Sequence, residues 1–154
     1  MSHPEVGIST FDNAVNALIS TTTYTNVHTA ANGGGEIRGQ NIPATVSFST
    51  QIQPIFTQNC AFSGCHAGTS PRAGLNLEAG KAHDNLVGVP STEMPALNRV
   101  KPFDPSSSYL FKKHSGAPDI SGSRMPLNNP NFFVEQPDLL ELERRWIVQG
   151  GLNN

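Results

Sequence analysis

Cys60-Ala61-Phe62-Ser63-Gly64-Cys65-His66 holds the chain's only two cysteines and sets a histidine directly after the second. Two thiols beside an imidazole suit covalent haem attachment. Each thiol adds to a vinyl group to form a thioether, and the imidazole binds the iron from the proximal side. The attachment signature is Cys-x-x-Cys-His, and here the spacer is two residues longer. The longer loop still reaches both vinyls, because one edge of the haem separates them, and Ser63-Gly64 helps the extra residues turn. Two other readings use the same residues: a local disulfide, and three ligands of a zinc site. Zinc needs a fourth ligand, and no second Cys/His pair at metal spacing stands in the chain. A disulfide accounts for neither His66 nor the features downstream.

The rest of the composition bounds the partners. The 154 residues suffice for one domain plus a small appendage. Charged residues make up 14% and the net charge is −2, with no basic patch for nucleic acid and no basic amphipathic helix for a membrane surface. With 14 glycines, 12 prolines and 36% hydrophobic residues, a loop-rich protein with a thin core is expected. A large apolar cofactor would serve such a chain as part of its core. No apolar run is long enough to span a bilayer. Met1-Ser2-His3-Pro4 does not open a signal peptide; haem attachment through thiols takes place outside the cytoplasm, so an export signal is expected to have been removed and the location to be periplasmic or extracellular.

Two parts are expected, residues 1–43 and 44–154, with Pro43 in the linker. In the first, Phe11, Val15, Leu18 and Ile19 fall at helical spacing behind a Thr10 cap. Thr21 to Thr29 is rich in β-branched residues, Asn32-Gly33-Gly34-Gly35 supplies a turn, and Glu36 to Gln40 forms the return strand. A short helix and a β-hairpin follow from this. A lone hairpin is marginal in water, so it packs on the second part or on another chain. A homo-oligomer joined through the hairpin's sheet edges is therefore one expectation. His28 reads as a structural strand histidine, with metal ligation as its alternative. The run Tyr24 to Gln40 resembles the C-terminal end of a CHRD domain, a β-rich domain of chordin and of many bacterial secreted proteins, and the resemblance implies no catalytic activity.

In the second part, Phe48, Ile52, Ile55 and Phe56 form an apolar stripe ending just before Cys60, with Ser49 as N-cap and Pro54 restricting the helix to a short one. A loop with Leu75 and Leu77 follows, then a helical turn or two over Lys81 to Leu86. Asp104 or Ser106 starts a helix through Tyr109, Leu110 and Phe111. The last helix is the clearest, with Pro137 at its first position, Asp138 at its positive end, Leu139, Leu142, Trp146 and Ile147 on its buried face, and Gly150 at its stop.

A haem held by His66 leaves the other face of the iron open, and a thioether sulfur is the usual partner for electron transfer. Met94 and Met125 each precede a proline, which restricts the loop around the sulfur. Met125 is favoured, because a loop anchored by the last helix most easily closes the distal face. Met94, His83 and His114 are the rivals, both histidines reading as surface or loop residues. Phe56, Leu75, Leu77, Leu110, Leu142 and Trp146 are expected to wall the site. Arg72, Lys81, Arg99 and Arg124 are candidates for the haem propionates, each with a solvated charge as its alternative.

From Phe48 to Gly151 the chain resembles a bacterial monohaem cytochrome c domain of the planctomycete type. The matching residues are Ile52 to Phe56, Cys65-His66, Gly74-Leu75-Asn76-Leu77, Val100-Lys101-Pro102, Ser107 to Leu110, Arg124-Met125-Pro126 and Trp146 to Gly151. The resemblance implies a mainly α fold, helices and long loops around one covalent haem c. It implies thioethers on Cys60 and Cys65, axial ligands His66 and Met125, and the Pro71 carbonyl taking the proton of His66. The function implied is electron transfer to a redox partner protein rather than enzymatic catalysis. An enzyme or gas sensor with a labile distal ligand is the alternative, and an assembly role for the hairpin coexists with either.

Overall fold

The computed structural model describes Thr10, Ala17, residues 24–27, 29–31, 33–34 and 37–40, and all of 44–154. The chain divides into two units, residues 1–44 and 45–154. In the first, β1 (Tyr24–Val27) and β2 (Ile37–Gln40) pair antiparallel, Tyr24 opposite Gln40 and Val27 opposite Ile37. The expected stripe of Phe11, Val15, Leu18 and Ile19, and His28, lie outside the described residues.

Helix predominates in the second unit, and Pro54 decides how its first helix begins. Proline has no N–H and its ring collides with the carbonyl four residues back. The chain answers with a wide turn over Phe48–Ile52, in which Ile52 N bonds Ser47 O at 3.3 Å, and then runs into α1 (Gln53–Asn59) with Pro54 in its first turn. The cap is Ser47 rather than Ser49: its Oγ accepts from Thr50 N at 3.3 Å. Four further helices follow, α2 (Ala82–Leu86), α3 (Tyr109–Ser115), α4 (Phe132–Glu135) and α5 (Pro137–Val148), joined by long loops.

α5 buries Trp146 and Ile147 completely, against Phe48, Ile52, Phe56, Leu77, Leu86 and Val100. Leu142 is only partly buried, and Glu143 takes the buried place beside it. The helix stops before Gly150, whose φ of +103° excludes most side chains and whose Cβ position lies 2.9 Å from the Phe103 ring. Asn154 closes the unit, its O accepting from Ser49 N at 2.9 Å.

Asp104 caps the single turn Pro105–Ser107 that leads into α3, accepting from Ser107 N at 3.0 Å. Hydrogen bonds from Ser106, Lys101 and Ser107 hold its carboxyl well below the usual carboxylate range. Because the folded value is depressed, this contribution is complete above the unfolded carboxylate pKa and fades only as pH falls through the lower folded one. Asp104→Ala is expected to cost about 1 kcal/mol in urea unfolding near neutral pH; no change there would show that the cap is idle.

Candidate functional site

The segment that carries Cys60, Cys65 and His66 is fixed to the end of α1. Cys60 N and Ala61 N both bond Phe56 O at 2.8 Å, and the chain then doubles back, Cys65 N reaching Phe62 O at 2.9 Å and His66 N reaching Cys60 O at 3.2 Å. Gly64, at φ +80°, provides the left-handed step. Leu77 N bonds His66 O at 2.8 Å, which lays the Leu75–Leu77 segment beside the histidine. Both cysteines are free thiols, Cys60 buried and Cys65 exposed.

These residues open onto a cavity of about 500 Å³, within the roughly 300–1,000 Å³ range of cofactor sites. Cys60, Cys65 and His66 share its wall with Met125 from a loop some sixty residues on, and with Leu75, Leu77 and Leu110. His66 Nδ1 lies 3.2 Å from Leu75 O. That contact makes Nδ1 the protonated nitrogen and leaves the lone pair on Nε2. Burial lowers the His66 pKa, the carbonyls of Leu75 and Arg72 opposing it in part, so the ring is neutral and able to ligate at neutral pH. Burial first, with help from Glu143 and Cys65, pushes the Cys60 thiol up to about 12.

The two cysteines should therefore differ in the folded, haem-free chain. Iodoacetamide is expected to modify Cys65 and to spare Cys60 until denaturant is added, since the thiolate is the nucleophile. Equal labelling in a peptide map would contradict the burial of Cys60.

Several expected site residues lie elsewhere. Pro71 O accepts from Gly74 N at 3.0 Å, and Leu75 takes the place expected for it beside His66. Arg124 is not on the cavity wall; its Nε donates to His114 O at 2.9 Å. Lys81 pairs with Glu78 at 2.7 Å. Arg72 and Arg99 do reach the wall, but both guanidiniums are engaged with backbone: Arg72 with Gly64 O at 2.7 Å, Arg99 with Asn85 O and Ala73 O at 2.9 and 2.8 Å. Arg99 thereby holds Ala73 at φ +55°, in the loop that delivers Leu75 to His66. Phe56, Leu142 and Trp146 sit in the core behind the wall rather than on it.

Of the rival distal donors, Met94 and His83 are off the wall, and His83 Nε2 bonds Gly151 O at 2.8 Å. His114 is not a surface residue. It is buried on α3, borders the cavity, stacks on Phe133 at 4.3 Å, and holds Glu143 Oε2 at 2.6 Å through Nδ1. A further cluster had no sequence signal: Glu93 Oε2 receives Tyr109 Oη and Lys113 Nζ, each at 3.0 Å, and all three residues line the cavity.

The donor set fits a haem iron. Among the described residues no three His, Cys, Asp or Glu side chains converge to hold a bare metal ion. A porphyrin supplies four donors itself, and an imidazole and a thioether sulfur, both present on this wall beside two thiols, are among the axial donors its iron takes.

The CHRD domain family model matches residues 3–41, so that segment is similar to a CHRD domain. No cytochrome c family model matches the chain. No curated protein and no solved structure matches it either. Among the described residues no helix is long and apolar enough to cross a membrane.

Proposed function

We propose that residues 44–154 form a c-type cytochrome domain that carries electrons. The observation that supports it is the sharing of one mostly apolar cavity by Cys60, Cys65, His66 and Met125. Cys60 and Cys65 would hold the haem through thioethers, and His66 Nε2 and the Met125 sulfur would bind its iron. The haem, when bound, supplies an iron that cycles between ferric and ferrous states. Leu75 O fixes the His66 tautomer and makes the ring a firmer donor. The Met125 thioether favours the reduced state and raises the potential relative to two imidazoles. Leu75, Leu77 and Leu110 exclude water from the site. Because burial keeps the Cys60 thiol protonated, attachment would belong to a stage before the chain has folded around that thiol. The likeness of residues 3–41 to CHRD domains, a family found in secreted proteins, supports placement outside the cytoplasm, where a redox partner protein would meet the domain. The paired strands β1 and β2 would form the hairpin of that N-terminal appendage.

The haem-loaded protein should titrate reversibly with one electron, and low concentrations of cyanide should leave its ferric spectrum unchanged. An immediate cyanide spectrum would instead favour an enzyme or gas sensor with a labile distal ligand.

A further inference from the structure

We propose that the His114–Glu143 pair makes His114 a reserve imidazole ligand, which takes the distal coordination place when the Met125 sulfur is withdrawn. The inference rests on the haem reading above and goes beyond it.

His114 is 2% exposed and Glu143 1%, so the pair is shielded from bulk water, with His114 at the cavity's edge. A purely structural pair would use up its polar atoms, and this one does not. Glu143 Oε1 has no hydrogen-bond partner. His114 Nδ1 is taken by Glu143 Oε2 at 2.6 Å, which leaves Nε2 as the ring nitrogen available to the cavity that His114 lines.

The chemistry of the pair matches that placement. A carboxyl group on Nδ1 orients the ring and leaves Nε2 on the side away from the pair, the arrangement that orients histidines toward metals. His66 is oriented in the same way by a carbonyl. Phe133, stacked at 4.3 Å and 25°, holds the plane of the His114 ring. The position is also right for succession to Met125. Met125 N bonds Lys113 O at 3.0 Å and Arg124 Nε bonds His114 O at 2.9 Å, so the Met125 loop is docked on the turn of α3 that carries His114. Exchange of sulfur for imidazole would keep the iron six-coordinate and give the domain a second state of lower potential.

The test starts from Met125→Ala, loaded with haem and compared with the native protein by intact mass, electron paramagnetic resonance and potentiometry. Met125→Ala is expected to stay low-spin, at a lower potential than the native protein. Adding His114→Phe together with Glu143→Leu removes both partners and leaves no orphaned charge; this triple variant should turn high-spin and bind added imidazole about tenfold more tightly than Met125→Ala. Circular dichroism on each variant confirms that it is folded, and Met125→Ala/Glu143→Gln, which keeps the shape of the pair, should remain low-spin. A high-spin Met125→Ala, or a triple variant that stays low-spin, would overturn the proposal while leaving the haem reading intact. A native protein with the mass of bare polypeptide would overturn both.

Discussion

His66→Ala is expected to abolish the six-coordinate low-spin spectrum of the haem-loaded protein while both thioethers remain. His66 is presented to the cavity neutral, with Nδ1 on Leu75 O and Nε2 free to donate. No other residue of the run 60–66 carries an imidazole. The thioethers depend on Cys60 and Cys65 alone, so the mass of the variant should equal that of the native holoprotein less the side-chain difference. Added imidazole should restore much of the spectrum, because the Leu75–Leu77 segment that shapes this wall keeps its backbone bonds to Arg72 and His66 when the ring's bond to Leu75 O is lost. A low-spin spectrum unchanged by the substitution would mean that His66 is not the proximal ligand.

His114→Ala carries the second large effect, this time on stability. The substitution strips Glu143 Oε2 of its partner when Oε1 already has none, leaving a carboxylate with neither oxygen bonded in the core. Breaking a buried pair from one side costs about 3–5 kcal/mol, and the ring's packing on Phe133 is lost as well. Replacing both partners with apolar residues of similar volume should return most of that loss, since no charge is then stranded. Urea unfolding of the single and double variants separates the two cases. If the single variant were as stable as the native chain, the pair would not be sealed as described.

What the sequence made legible follows the local signals. The stripe of α5 depends on neighbours within two turns, and Trp146 and Ile147 are buried as that spacing predicts. Glu143 was readable in principle: it stands four residues after Leu139 and three before Trp146, on the apolar stripe, but its place in Glu141-Leu142-Glu143-Arg144-Arg145 looks like a solvated face. His114 likewise follows Leu110 by four residues. The Glu93–Tyr109–Lys113 cluster joins residues 16 and 20 positions apart through a loop, and no periodicity encodes that. The exchange of Pro71 for Leu75 beside His66 has a similar cause: the acceptor is a backbone carbonyl, which every residue has, and only the path of the loop selects it.

Intact mass of the chain expressed with a haem-attachment system, followed by mapping of the peptide that contains residues 60–66, tests the central claim most directly. One haem should be found, bound to that peptide through both sulfurs. A chain of unmodified mass, with Cys60 and Cys65 reduced or joined to each other, would contradict the account.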